Sequence, residues 1–199
     1  MDKMDEMVLS IKRDELFGGK LWRGIETKRI DKILEVVAKK GVFRRRGDVE
    51  NDQSVKQIIP YVIFQNKDRY FLMQRKEKGS LGEDRLAQLY SLGIGGHLRE
   101  SDIDRTSDVV KWAAREFAEE VEYLDGLSYE VVGILNDDTN PVGEVHLGIV
   151  MLAKGKSENI KIRDEHKMGK LVSLEVMKKD YQLMETWTQI VFDYLSGAK

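Results

Sequence analysis

No cysteine occurs in the 199 residues. Disulfides, thiolate metal sites and a cysteine nucleophile are thereby excluded, and the absence fits a reducing compartment. No apolar run approaches the length of a membrane span. The first residues, MDKMDEMVLSIKRDE, are charged throughout and contain no apolar signal core. A net charge of −2 supplies no general attraction to nucleic acid. There is no internal repeat and no low-complexity segment. A cytoplasmic protein is expected, with no membrane partner and no stable nucleic-acid complex. What is present is ordinary globular material. An apolar fraction of 41% is enough for a core, and a charged fraction of 34% clothes a polar surface. The length suits one domain, or one domain with an appendage.

The most informative stretch runs from Gly95 to Tyr123, GGHLRESDIDRTSDVVKWAAREFAEEVEY. Its second half, Ser107 to Val121, has helical spacing. Val110, Ala113, Ala114, Phe117 and Val121 recur at steps of three and four and share one face. Glu116, Glu119 and Glu120 stand at i, i+3 and i+4 and share another. Three like charges so close repel one another, so water or a cation must screen them. The pair Gly95-Gly96 ends an apolar run just ahead of the helix. A strand, a glycine turn, a loop and a helix carrying a carboxylate cluster form a frame suited to divalent-metal and phosphate chemistry.

This stretch resembles the signature of the Nudix hydrolases: Gly, five residues, Glu, seven residues, then Arg-Glu-U-x-Glu-Glu-x-Gly-U, with U a bulky aliphatic residue. Arg115-Glu116-Phe117-Ala118-Glu119-Glu120-Val121-Glu122-Tyr123 matches the second half, with Phe117 and Tyr123 at the U positions and Glu122 in place of the last glycine. Counting back from Arg115, the signature Glu falls on Ser107 and the signature Gly on Ser101. The loop therefore reads as lengthened, with Gly96 keeping the glycine role and Glu100, Asp102 or Asp104 as substitutes for the first acid. The resemblance implies an α/β fold, a Nudix-like α/β/α sandwich with a mixed sheet between helices. It implies residues 42–199 as the hydrolase domain and residues 1–41 as an N-terminal helical extension, either a helical cap or a surface for a second copy of the chain in a homodimer.

Along the chain, Met7-Val8-Leu9 suits either a short strand or a first helical turn, and Leu16 to Gly19 a turn. Thr27 to Lys40 is a helix pattern with Ile30, Ile33, Leu34 and Val37 as its stripe and Gly41 as its stop. Gly41 to Ser54, with Arg44, Arg45 and Arg46, reads as a solvated linker or an edge strand; the functional alternative is an arginine reaching a substrate phosphate. Ile58 to Phe64, with Pro60 near its start, and Tyr70 to Arg75 form a hairpin around Asn66-Lys67-Asp68. Lys76 to Glu83 is a loop, and Ser91 to Ile94 a short strand leading into the glycine turn. Tyr129 to Leu135 is a strand, and Asn136 to Gly143 a polar loop with Pro141. Glu144 to Ala153 is a strand whose period of two places Glu144, His146 and Gly148 opposite Val145, Leu147, Ile149 and Met151. His146 is then either a core histidine with satisfied nitrogens or a ligand contact beside Gly148. Ile160 to Arg163 and Leu171 to Leu174 are strands, and Tyr181 to Leu195 closes the chain as a helix with Met184, Trp187, Val191 and Tyr194 buried.

Mg²⁺ takes oxygen ligands and is shared between a few carboxylates and substrate phosphates. The resemblance implies Glu116, Glu119 and Glu120 as ligands of Mg²⁺ (or Mn²⁺), with Arg115 holding these acids in place. It also implies a general base in a late loop, where Glu165 stands, with Glu144 the alternative. Gly95, Gly96, His97 and His146 are the candidate substrate contacts; Tyr61 and Tyr90 are aromatics that suit either base stacking or the core. The expected activity is metal-dependent hydrolysis of the diphosphate linkage in a nucleoside diphosphate joined to another moiety, so the partner is a nucleotide-type small molecule. Two alternatives stand beside it. Isoprenoid diphosphate isomerisation in this family uses a cysteine, which the chain lacks. A nucleotide-sensing or nucleotide-binding module would follow if Ser101, Ser107 and Glu122 mark decayed catalysis.

Overall fold

The structure, a computed structural model, describes residues 2–75, 89–100, 109–163 and 166–197. In chain order the first elements are β1 (Met7–Lys12), α1 (Arg13–Phe17), β2 (Gly24–Glu26), α2 (Ile30–Lys40), β3 (Val42–Arg45) and α3 (Arg46–Val49). Then come β4 (Val55–Asn66), β5 (Arg69–Arg75), β6 (Tyr90–Ser91), β7 (Gly93–Ile94), α4 (Val109–Glu120) and β8 (Val121–Glu122). The rest are β9 (Leu127–Asn136), α5 (Pro141–Val145), β10 (His146–Gly155), β11 (Lys161–Ile162), β12 (His166–Ser173), α6 (Leu174–Met177) and α7 (Thr186–Ser196). This is an α/β fold with a mixed sheet, as expected. The chain forms two compact units, and β4, α4, β9 and β10 each contribute residues to both.

The first unit comprises Met1–Pro60, Gly96–Trp112 and Val132–Val150. Here β1 is a strand, not a helical turn, because it pairs on two sides. Leu9 lies opposite Phe43 of β3, and Ile11 opposite Lys56 of β4. β3 pairs with β1 alone among the described strands, which makes it the edge strand expected of this basic segment. Its arginines have protein partners. Arg44 donates to Ser10 Oγ at 2.7 Å, Arg45 to Asp5 Oδ1 at 2.7 Å, and Arg46 Nε to Glu50 Oε2 at 3.0 Å. Residues 1–41 hold β1 and β2 as well as the expected helix, α2, and a short α1 that was not expected, and β2 pairs antiparallel with the end of β9, Ile25 facing Leu135. α2 begins at Ile30 and buries Ile33 and Val37.

A polar network fixes residues 136–145 in this unit. Lys56 is fully buried, and its ammonium donates to Asp138 Oδ1 at 2.7 Å and to the Gly143 carbonyl at 2.6 Å. Arg13 Nη2 donates to Asp138 Oδ2 at 2.5 Å, and Arg23 to Asp137 at 3.0 Å. Asn140 caps α5 by accepting from the Val142 and Gly143 amides at 3.1 and 2.9 Å. A Cβ at Gly143 would overlap the Asp137 carbonyl, so only glycine fits there. One consequence corrects the sequence reading. Glu144 and Val145 belong to α5, and the strand starts at His146. Leu147, Ile149, Val150 and Met151 are all buried, so β10 is covered on both faces over this stretch and has no polar side there.

The second unit comprises Tyr61–Gly95, Ala113–Val131 and Met151–Lys199. β4 and β5 form the expected hairpin, with Gln65 opposite Tyr70 and Lys67 at φ 54° in the turn. β12 continues antiparallel from β5, Leu171 facing Phe71. The predicted strand at Ser91 to Ile94 is two short pieces: β6 pairs with β5, and β7 with β4. Phe64 meets Phe117 of α4 in a stacked arrangement at 6.1 Å and Tyr123 edge-on at 5.0 Å. Together these rings bind the carboxylate helix to the sheet.

The closing helix starts at Thr186, later than the spacing suggested, because Lys178–Leu183 forms a 3-10 turn. Its buried face is Thr188, Val191 and Phe192, while Tyr194 is exposed. The shift has a polar cause: Thr188 Oγ1 accepts the Leu92 amide at 3.0 Å and bonds the Tyr61 hydroxyl at 2.8 Å.

Candidate functional site

α4 carries the carboxylates. Phe117 anchors its inner side, with Ala113 and Trp112 also buried; Val121 is buried too but opens β8 just past the helix, and Val110 is exposed and falls outside the stripe expected of it. The three glutamates do not share one environment. Glu116 and Glu120 are only 7% and 8% exposed, while the Glu119 side chain is 52% exposed. Buried carboxylates need charge-assisted partners. Arg115 supplies them for two. Its Nη1 donates to Glu119 Oε1 at 2.5 Å, and its Nη2 pairs with Glu116 Oε1. The third, Glu120, accepts the Gly95 amide at 3.2 Å on Oε1. The expected link between the glycine turn and the acidic helix is therefore a hydrogen bond. At the helix's far end Arg163 donates its amide to the Glu120 carbonyl at 2.9 Å and its Nε to the Val121 carbonyl at 3.3 Å. A cation there complements the helix dipole.

Placement of the other candidates is mixed. Glu165, like Ser101, Ser107, Asp102 and Asp104, lies outside the described residues. Glu144, the alternative base, sits in α5, and its Oε2 accepts from Gln53 at 2.7 Å. Tyr61 is buried, with its hydroxyl on Thr188 and on Glu185 Oε1 at 3.1 Å. A Cβ at Gly93 would overlap its ring. Tyr61 is thus a core residue in this unit. Tyr90 is half-buried, with the Lys170 ammonium 5.8 Å from its ring centroid.

In the first unit, His97 and His146 come together. Their Nε2 atoms are 3.1 Å apart, and the rings meet edge-on. His146 Nδ1 is 2.7 Å from the Val142 carbonyl. A carbonyl only accepts, so Nδ1 carries the proton and Nε2 of the neutral ring has the lone pair. Desolvation pushes the His97 pKa well below its ordinary value, helped by His146 and Arg46. Desolvation also lowers His146, against the opposing pull of the Val142 carbonyl and Glu50. Both shifts favour the neutral imidazole. Glu50 joins them: one carboxylate oxygen and one nitrogen from each ring all lie within 4.8 Å of one another. Sequence reasoning missed Glu50, which reads as one more acid in a charged linker. No spacing signal could have found it, because it meets His97 and His146 only through the fold.

No family model matches the chain. Protein YmaB of Bacillus subtilis (strain 168) is 35% identical over 207 residues, spanning 98% of this chain and 100% of the relative. Among solved structures, Tm1382, described as a proposed Nudix hydrolase, superposes with a TM-score of 0.79 at 31% identity over 98% of this chain and 100% of its own. The NUDIX domain of Shewanella oneidensis NrtR, solved with ADP-ribose, gives a TM-score of 0.56 over 71% of this chain and 87% of that one. At 12% identity this second likeness is one of fold. Among the described residues no helix is long and apolar enough to cross a membrane.

Proposed function

Since the chain belongs to the Nudix hydrolase family, pyrophosphohydrolases acting on phosphoanhydride bonds, we propose that it hydrolyses the diphosphate linkage of a nucleoside diphosphate joined to another moiety, with Mg²⁺ or Mn²⁺ held on α4. The observation that supports this most directly is the hydrogen bond from the Gly95 amide to Glu120 Oε1 at 3.2 Å. It puts a buried carboxylate beside the glycine turn that a phosphate would approach. The donor set fits the metal. Glu116, Glu119 and Glu120 offer only oxygen, the ligand type Mg²⁺ and Mn²⁺ prefer. Such an ion, when bound, neutralises phosphate charge and acidifies a coordinated water.

The chain's own residues do the rest. Arg115 is a positioning residue: paired with Glu116 and Glu119, it sets the direction of their oxygens and relieves their repulsion. Without side chains, Gly95 and Gly96 let the backbone come close to the diphosphate, while the Gly95 amide stays on Glu120 Oε1. Glu165 takes the proton of the attacking water as phosphorus–oxygen cleavage releases the second phosphate. ADP-ribose, the ligand of the NrtR domain, is one member of the substrate class, a nucleoside diphosphate with a second sugar.

The test is a hydrolysis screen with Mg²⁺ or Mn²⁺ over nucleotide sugars, ADP-ribose, dinucleoside polyphosphates and oxidised nucleotides, read as phosphate freed from the phosphomonoester products by an added phosphatase. Turnover of at least one class, abolished by EDTA, is expected. Silence across the panel with ligand-induced thermal stabilisation would transfer the protein to the sensing modules. With a substrate in hand, Glu165→Gln should lose the acidic limb of the pH–rate profile. An unchanged profile would take the base away from Glu165.

A further inference from the structure

His97, His146 and Glu50 form a cluster that the hydrolytic reading does not use. We propose that they are a second metal site, built for a transition metal of the Zn²⁺ class and using none of the α4 carboxylates.

Three segments far apart in sequence deliver the ligands, and each is anchored. Glu50 follows α3, its amide bonded to the Arg46 carbonyl at 2.9 Å. His97 precedes Leu98, whose carbonyl accepts the Leu9 amide at 2.8 Å, and Arg99 pairs with Val8 of β1. His146 is the first residue of β10 and follows the α5 turn that Lys56 holds through the Gly143 carbonyl. Side chains on such supports lose little freedom when they bind.

The chemistry of the donors sets the metal. Two imidazoles and one carboxylate match a catalytic-type zinc set with a fourth position left for water or another ligand. A tetrahedral ion with bonds of about 2.0–2.1 Å would place two nitrogens about 3.3 Å apart. The Nε2 atoms stand at 3.1 Å, and one Glu50 oxygen lies within 4.8 Å of a nitrogen of each ring, so a turn of the carboxylate would bring the three donors onto one ion. Outer groups are in place as well. The Val142 carbonyl fixes the His146 tautomer with Nε2 free to bind, and Arg46 Nε holds Glu50 Oε2 at 3.0 Å. Two nitrogen donors count against Mg²⁺ and for Zn²⁺. The pair can share a proton, as an N–H···N bond, or exchange it for the metal.

Zn²⁺ alone is the probe, added to full-length protein stripped with EDTA. Calorimetry is expected to read one tightly bound Zn²⁺ per chain with a Kd of about 1 μM or tighter, beside any weaker uptake on the α4 carboxylates. His97→Gln and His146→Gln should each weaken it by about 100-fold or more, and Glu50→Gln by about 10-fold. Co²⁺ in its place should give visible d–d bands that both histidine variants lose. The carboxylate helix is separated out by Glu119→Gln/Glu120→Gln, which should retain the Zn²⁺ uptake. If a histidine variant does not fold, the wild-type protein still answers. Zn²⁺ should shift the imidazole ¹⁵N signals of His97 and His146. No uptake by the wild type, or uptake that leaves these two rings unshifted, would overturn the site, whatever the outcome of the hydrolysis screen.

Discussion

Replacing Glu120 with glutamine should lower turnover by about 10²- to 10³-fold, the usual effect of removing one group that stabilises charge in a transition state. Glu120 is 8% exposed as a residue and accepts the Gly95 amide on Oε1. Glutamine keeps a carbonyl oxygen at that place, so the bond to the glycine turn survives and the helix packs as before. What it loses is the negative charge, and a metal ligand needs that charge. The change should therefore appear in kcat with a melting temperature close to wild type. Glu119→Gln should act in the same direction, and its 52% exposure makes any folding effect smaller still. Excess Mn²⁺ should recover part of the loss if the defect is metal affinity. Turnover like the wild type's in both variants would remove α4 from the chemistry.

The second large effect is on stability. Lys56→Met should cost about 3 kcal/mol, because breaking a buried ion pair from one side leaves the other side unmatched. Asp138 keeps Arg13 and Asn136, which holds the loss near the low end. The Gly143 carbonyl, which accepts from Lys56, would have its donor replaced by an apolar chain. Urea unfolding measures the difference, and a change below about 0.5 kcal/mol would show that the network does not hold the loop.

The same lysine predicts a pH dependence. Desolvation lowers the Lys56 pKa from 10.5 to about 8, with Asp138 pulling the other way. The unfolded chain therefore keeps a proton between about pH 8 and 10.5 that the folded chain has released. Stability from this group rises with pH across that window and is flat below it, by at most about 1.4 kcal/mol per pH unit. The gap between wild type and Lys56→Met should widen from pH 8 to pH 10. A constant gap would mean that the buried ammonium titrates as it does in water.

Much of this molecule is local and could be read without the fold. The Asn66-Lys67-Asp68 turn, the stripe of α2 and the 3.6-residue rhythm of Ala113, Phe117 and Val121 each depend on neighbours a few positions away. The acidic run of α4 and its glycine turn were legible for the same reason, down to the resemblance that names the family. Reading failed where a distant partner overrode local preference. Tyr194 gave up its place in the α7 stripe because Thr188 had a tyrosine and an amide to satisfy. Glu144 went into α5 because Asn140 and Gly143 build a capped turn that period-two counting cannot see.

By itself, then, the sequence determined the secondary elements with strong periodicity, the carboxylate helix and the family. Only the tertiary structure decided that Lys56 is interior, that Glu116 and Glu120 are sunk while Glu119 is not, and that Glu50 meets two histidines. Periodicity reports which side of its own element a residue faces. Whether that side finds water, a counter-charge or another imidazole depends on segments far away in the chain, 125 positions for Arg13 and Asp138, and the free energy of a buried charge is set by that encounter.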